Sequence, residues 1–325
     1  MKVSILAACY NIEDYVEQSM TSVLAQTHTD IEVICVDDCS TDGTVAKLEE
    51  LRDTRITILK NTENLGLGPT RQKGLEQATG DYVFFHDADD WMDRDYIEKM
   101  VEAVGDADLI VTSYENLGNG WSKKYRVRDE SFFRESNLSK VFVPNDSRFL
   151  WTVWNKLFKR RILTENSIGF DDIRTAQDGV FTFKYLMHCN KVVKKNMETF
   201  YHHRVTRSGS ITNVFSEEYL AGLPKAVDVT LRYGSLKIQR LRYIRAYRFY
   251  TDMREKAYRN VADKKARKRY LGLIRQSVSV YGFRVHRFLI HVFLAKELSL
   301  ESKLRQIYIC VVRHYCNIAK RIVFS

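Results

Sequence analysis

Four times in the first hundred residues a short apolar run gives way to a stretch with helical spacing, and that alternation limits the fold more than any other feature. Val3–Cys9 reads as a strand, and residues 12–26 then set Tyr15, Val16, Ser19, Val23 and Leu24 on one side of a helix. Residues 32–36 form a second strand ending in Asp37-Asp38, and the turn Ser40-Thr41-Asp42-Gly43 introduces a helix over 44–51. Residues 55–59 form a third strand. The loop 61–68 follows, and Pro69 suits the first position of a helix running to Thr79. The aromatic and β-branched run 82–85 is too short for a helix and reads as a buried strand, with a further helix over 93–104. Repeated strand–helix units imply a parallel sheet covered by helices, with ligands gathered at the carboxyl ends of its strands. Asn11, Asp37, Asp38, Asn64 and Asp87 all fall at such ends.

The fourth strand stops abruptly in Asp87, Asp89 and Asp90, with small Ala88 between them. Carboxylates that close repel one another unless a cation joins them. Oxygen ligands suit Mg²⁺ or Mn²⁺, and a site with one or two protein carboxylates leaves positions for substrate phosphates. Taken alone, the turn is equally well read as a solvated acidic cap on the helix over 93–104. Gly66-x-Gly68 is weak evidence for phosphate cradling, because the third glycine of a dinucleotide fingerprint is absent. Residues 7–11, after the first strand, carry no glycine either, which argues against a nicotinamide or flavin enzyme.

Farther along, residues 109–113 read as another strand, 121–127 as one in a different orientation, and 173–189 as a helix with Asp178 near its start. Residues 192–193 and 199–203 are short strands. Charge then divides the chain. Residues 1–214 hold 33 acidic and 27 basic side chains, whereas 215–325 hold 8 and 24, marking a separate basic segment. The six cysteines, at 9, 35, 39, 189, 310 and 316, lack the C-x-x-C spacing of a zinc site, so reduced packing thiols in a cytoplasmic protein are expected. The apolar start is broken by Asn11, Glu13 and Asp14, which is a first strand rather than a secretion signal, and no apolar run approaches the ~18 residues of a membrane span.

Seven motifs occur in order: V-S-I-L-A-A-C-Y-N, V-D-D-C-S-T-D-G-T, N-L-G-L-G-P-T-R-Q-K-G-L, F-H-D-A-D-D-W, W-N-K-L-F, A-Q-D-G-V-F and S-G-S-I-T. In this the chain resembles the family 2 glycosyltransferases, in particular bacterial surface-polysaccharide members, over residues 1–214. The resemblance implies an α/β GT-A fold, a Rossmann-like mixed sheet flanked by helices. It also implies a UDP-sugar donor, Mn²⁺ or Mg²⁺, and transfer of a hexosyl or N-acetylhexosaminyl unit with inversion to a glycan or lipid-linked glycan acceptor. Carried over position by position, Ala8 and Tyr10 flank the uracil and Asp38 contacts it. Asn11, Asn64 and Ala88 line the nucleotide-sugar, and Arg71 approaches the base or the diphosphate. Asp87 lies near ribose and metal, Asp89 is a metal ligand, and Asp178 is the catalytic base. Arg207 and Ser210 belong to a closing loop, residues 201–212, that grips the leaving diphosphate. His203, at a commonly aromatic position, ligates metal, touches phosphate or packs. Trp154, Asn155 and Asp90 fall on the acceptor side, with packing in the core an equal alternative for the first two.

Three positions depart from the family pattern. Cys39 replaces a usual glycine, Gln72 a common asparagine, and Gln177 the glutamate before the base, which removes a like charge beside Asp178 and lowers the rate expected of it.

The region 215–325, helical, basic and Tyr-rich, suits docking on the anionic inner face of the cell membrane, beside lipid-linked acceptors. A helical domain or a homo-oligomer interface with a basic exterior is the alternative. Nucleic-acid binding is disfavoured, since no recognition motif accompanies the charge. A rival of another class is a nucleotide-binding protein that acts through its basic region on membrane or nucleic acid without sugar transfer. Nucleotidyl transfer is disfavoured because no glycine-rich, lysine-bearing loop follows the first strand.

Overall fold

The computed structural model describes residues 1–133, 152–173, 176–205, 222–232, 257 and 261–277. The chain divides into two compact units that interleave along the sequence. One holds Met1–Arg134, Thr152–Asp172 and Lys184–Ser208; the other holds Glu135–Trp151, Ile173–Phe183 and Gly209–Ser325.

The first unit is built on an eight-stranded mixed sheet. Its strands are β1 (Val3–Cys9), β2 (Ile31–Asp37), β3 (Ile56–Lys60), β4 (Tyr82–Asp87), β6 (Leu109–Thr112), β9 (Glu130–Phe133), β10 (Lys156–Lys159) and β11 (Lys191–Lys195). Their order is β3-β2-β1-β4-β10-β6-β11-β9, with β3, β2, β1 and β4 mutually parallel and β10 antiparallel to both of its neighbours. The mixed sheet implied by the family resemblance is therefore present, whereas the strand–helix alternation alone implies a parallel one. β1 and β4 are central and nearly continuously apolar because both of their faces are covered. On one face Val3, Ile5 and Ala7 of β1 join Tyr82 and Phe84 of β4 in a core with Val16, Met20 and Val23 of α1 (Val16–Leu24) and Tyr96, Ile97, Met100 and Val104 of α4 (Tyr96–Val104). On the other lies α3 (Leu67–Gln77), whose Gly74 permits close approach: a Cβ there would stand 3.3 Å from Val36 Cγ2. α2 (Thr44–Glu50) follows β2, and α5 (Arg160–Glu165) follows β10. α3 begins at Leu67, so Pro69 sits inside its first turn, where no intrahelical donor is needed.

A second, four-stranded sheet has the order β5-β12-β7-β8, from β5 (Trp91–Met92), β7 (Tyr114–Gly118), β8 (Trp121–Tyr125) and β12 (Tyr201–Arg204). β12 runs antiparallel to β5 and parallel to β7. β5 follows the acidic turn directly, so this small sheet sets β12 alongside it.

The amino ends of the central strands are fastened by Glu32. Its carboxylate accepts from Lys2 Nζ (2.6 Å), Ser4 Oγ (2.5 Å), Thr79 N (2.7 Å), Thr79 Oγ1 (2.7 Å) and Gly80 N (3.1 Å). Burial pushes the Glu32 carboxyl up, but the bonds from Lys2, Ser4 and Thr79 outweigh it and hold the group down at about 2.

In the second unit, α6 (Gln177–His188) begins, and α7 (Leu223–Arg232) and α8 (Lys264–Ser277) bury Leu223, Ala226, Val227 and Ile274. α8 carries exposed Lys264, Lys265, Lys268 and Arg269 and no acidic residue; Asp263 Oδ1 caps its start by accepting from Ala266 N at 2.7 Å. Cys9, Cys35, Cys39 and Cys189 are free thiols; Cys310 and Cys316 lie outside the described residues. Among the described residues no helix is long and apolar enough to cross a membrane.

Candidate functional site

The parallel register brings the polar strand ends together. Ala8 pairs with Val36 on one side and Asp87 on the other, and Cys9 pairs with Asp37. The turns after β1 and β2 are laced to each other. Asn11, at φ 47°, donates from N to Ser40 Oγ (3.0 Å) and accepts from Thr41 N (2.9 Å). Gly43 N donates to Glu13 Oε2 at 2.6 Å. A Cβ on Gly43 would stand 2.7 Å from that oxygen, so a larger residue there would displace the Glu13 carboxylate. Tyr10 stands 43% exposed just past the end of β1.

Asp38 is 3% exposed. Its Oδ1 accepts from Asn61 Nδ2 (2.8 Å) and Leu65 N (2.9 Å), and its Oδ2 from Gly66 N (2.8 Å). The carboxylate thus pins the loop that carries exposed Asn64 against the end of β2. Cys39 adopts φ 63°, the conformation for which glycine is the common residue. Arg71, one turn into α3 and 3% exposed, donates from Nη2 to Asp87 Oδ1 at 2.6 Å, with its guanidinium 5.7 Å from the Phe170 ring centre.

The acidic turn closes through Asp90 N donating to Asp87 O (2.9 Å). Ala88 is buried, while Asp87 and Asp89 stay half-buried at the rim. Asp90 points inward, 1% exposed, and its Oδ1 accepts from Arg204 N at 2.7 Å. Burial, and then the charges of Asp89 and Asp87, push the Asp90 carboxyl well above the usual range. Asp90 therefore joins the turn to β12 and does not open toward an acceptor, as the sequence had suggested. His86 lies beneath, its Nε2 2.7 Å from Ser19 Oγ; burial holds it down at about 3 against the pull of Asp89, so the ring is neutral.

His203 lies 3.0 Å through Nδ1 from Asn116 Oδ1 and stacks on Trp154 at 4.9 Å. Burial lowers the His203 pKa, against the smaller opposing pull of the Asp87 and Asp89 charges. Trp154 is 4% exposed, its ring engaged by Tyr201 (5.1 Å), His203 and Tyr114 (4.7 Å). Asn155, 2% exposed at φ 54°, donates from Nδ2 to Thr112 O (2.7 Å) and accepts from Lys156 Nζ (2.9 Å). Of the two expectations for Trp154 and Asn155, the packed core is the one their surroundings match. Asp178 occupies the first turn of α6, next to Gln177, whose Oε1 is buried without a hydrogen-bond partner. Arg207 and Ser210 lie outside the described residues.

Tyr201 and Arg204 enter the sequence reading only as the start of the closing loop 201–212; in the structure both lie in β12 and hold the acidic turn. Asp87 N donates to the Tyr201 hydroxyl (3.0 Å), and Arg204 Nε to Asp89 O (3.0 Å). The signal available was the two-residue period of Y-H-H-R, which turns Tyr201 and His203 to one face and His202 and Arg204 to the other.

Among the described residues no group of three or more His, Cys, Asp or Glu side chains is arranged to hold a metal ion. A cage closed by protein alone is thus not built from them. The rim carboxylates of Asp87 and Asp89 fit the other arrangement, in which one or two carboxylates and substrate phosphates share a Mg²⁺ or Mn²⁺.

A mixed sheet of this order, with an acidic turn at the end of β4 and a second small sheet beside it, is a GT-A fold. It matches the crystal structure of residues 1–349 of Staphylococcus aureus TarS in complex with UDP-GlcNAc, with a TM-score of 0.71 at 19% identity, covering 98% of this chain and 92% of that one. The family model for glycosyl transferase family 2 matches residues 4–174, over half of the sequence, and the chain belongs to that family. Among curated relatives, the chain is 29% identical over 239 residues to the glycosyltransferase GlyA of Streptococcus pneumoniae, covering 70% of this chain and 34% of GlyA. It is 28% identical over 211 residues to the poly(ribitol-phosphate) β-N-acetylglucosaminyltransferase TarS, covering 62% of this chain and 35% of TarS. The chain thus spans about a third of the length of these two relatives.

Proposed function

We propose that this protein transfers a hexosyl or N-acetylhexosaminyl unit from a UDP-sugar to a hydroxyl of a bacterial surface glycan, with inversion at the anomeric carbon. The observation that carries the reading is the rim formed by Asp87 and Asp89, with Arg71 on Asp87 and the β1 and β2 turns beside them. The UDP-GlcNAc complex of TarS supports the choice of donor.

In this reading Tyr10 and the loop held by Asp38 receive the base, and Asp87 receives the ribose. Asp89, with Asp87, would hold Mn²⁺ or Mg²⁺, which when bound supplies Lewis-acid stabilisation of the departing diphosphate. The acceptor oxygen bonds to the anomeric carbon as the bond from that carbon to the phosphate oxygen breaks, and the acceptor proton passes to the Asp178 carboxylate. Arg207 and Ser210 would supply a cation and a hydroxyl to the departing diphosphate.

The test uses the full chain, a panel of UDP-sugars and a glycan acceptor, with UDP release read in Mn²⁺ and in chelator. Asp89→Ala is expected to lower turnover on the order of 10²-fold or more, the scale of losing one electrostatic stabiliser of a leaving group. Wild-type turnover from the Asp89→Ala variant would sink the assignment.

We also propose peripheral attachment to the inner membrane face, supported by the exposed Lys264, Lys265, Lys268 and Arg269 of α8. Salt-sensitive sedimentation with phosphatidylglycerol vesicles is expected, and it should be lost when the three lysines become glutamate. A full chain that stays in the supernatant with phosphatidylglycerol vesicles at low salt would rule this out.

A further inference from the structure

β12 holds the acidic turn residue by residue. Tyr201 takes the Asp87 N–H, and the Arg204 main chain donates to Asp90 Oδ1. Farther on, Phe200 N donates to Asp93 Oδ2 at 2.8 Å, and His202 Nε2 lies 2.8 Å from Asp93 Oδ1. Of these bonds one alone reaches Asp89, and it comes from the Arg204 side chain: Nε donates to the Asp89 carbonyl at 3.0 Å. The guanidinium itself is held on three sides. Its centre is 4.7 Å from the Trp91 ring and 4.8 Å from the Tyr15 ring, and Nη2 donates to Gln18 Oε1 at 3.0 Å. Trp91 is braced in turn by stacking on His202 at 5.2 Å.

No carboxylate side chain is bonded to the Arg204 guanidinium in these contacts. A cation placed only for charge would be expected on Asp89 or Asp90 themselves. This one gives its directional Nε–H to a main-chain oxygen while its centre lies near two aromatic rings, a combination that suits a planar guanidinium better than a compact ammonium. Fixing the Asp89 carbonyl fixes the peptide plane from which the Asp89 side chain departs, and so limits where its carboxylate can point.

We propose that Arg204 is a positioning residue for Asp89, aiming the carboxylate at the divalent cation of the donor complex. The inference rests on the sugar-transfer reading above. Partners that orient a ligand in this way typically govern metal affinity by roughly 10- to 100-fold. The guanidinium acts through Asp89 and touches neither metal nor sugar.

The experiment measures Mn²⁺ binding to the full chain in the presence of UDP, by electron paramagnetic resonance of the free ion. Arg204→Lys and Arg204→Ala are both expected to weaken Mn²⁺ by roughly 10- to 100-fold, while UDP binding in chelator stays at the wild-type value. Trp91→Leu leaves the hydrogen-bond donors of Arg204 in place and removes one of its two aromatic neighbours, and is expected to give a smaller loss in the same direction. Trp91→Phe, which keeps a ring face, is expected to restore most of the affinity. Wild-type Mn²⁺ affinity in both Arg204 variants, with or without a fall in melting temperature, would overturn the proposal. Full rescue by lysine would overturn it too, because charge alone would then suffice. If the Arg204 variants do not fold, an unchanged Mn²⁺ affinity in Trp91→Leu has the same consequence. A wild-type chain that binds neither UDP nor Mn²⁺ would instead bring down the sugar-transfer reading itself.

Discussion

Asp178→Asn is expected to lower the rate of sugar transfer by about 10²–10⁴-fold, the range associated with losing a positioned general base. The substitution preserves shape and removes the carboxylate proposed to take the acceptor proton. Donor affinity should stay unchanged, because in that proposal the base meets the acceptor and not the nucleotide. Stability should change little: Asp178 stands in the first turn of α6, where a carboxylate gains about 0.3–1 kcal/mol from the helix dipole. Single-turnover kinetics with saturating UDP-sugar, beside calorimetric donor binding, separate the two effects. Transfer at the wild-type rate would mean that the proton leaves by another route.

Trp154→Ala is expected to cost about 3–5 kcal/mol of stability, as for other large-to-small changes at buried aromatics. The ring is 4% exposed and stacks on Tyr201 at 5.1 Å and His203 at 4.9 Å. Its loss frees Tyr201, whose hydroxyl takes the Asp87 N–H, so activity should fall along with stability. Trp154→Phe retains much of the packing and should cost less. Urea titration of both variants measures this directly. A stable alanine variant with a raised acceptor KM would show instead that the ring meets the acceptor.

The central strands and the acidic turn were legible because their signals are local. An apolar run as short as β4 followed at once by three aspartates admits few structures, and the strand–helix alternation fixes which end of the sheet those aspartates reach. What was not legible depends on distant pairing. β5 is two residues long and exists only because β12 lies against it, more than a hundred residues later. Trp154, Asn155 and Lys156 sit in a tract that reads as mixed aromatic and basic. Lys156 is nonetheless fully buried, its ammonium held by Thr152 O (2.7 Å), Thr152 Oγ1 (3.0 Å) and Asn155 Oδ1 (2.9 Å). Three oxygens from its own turn make that burial affordable, and no periodicity announces them. Asp90 was misplaced for a related reason. Adjacent aspartates look alike in sequence, and only the tertiary position of Arg204 N decides which one turns inward.

The Glu32 clasp sits at the strand ends remote from the acidic turn. Five donors on one carboxylate hold the bottom of the sheet shut without drawing on any residue of the rim. Loops on the upper side can then be exchanged, lengthened or recoded for a new sugar with the foundation left standing. For anyone redesigning specificity in this scaffold, the lower hinge is the part to leave alone.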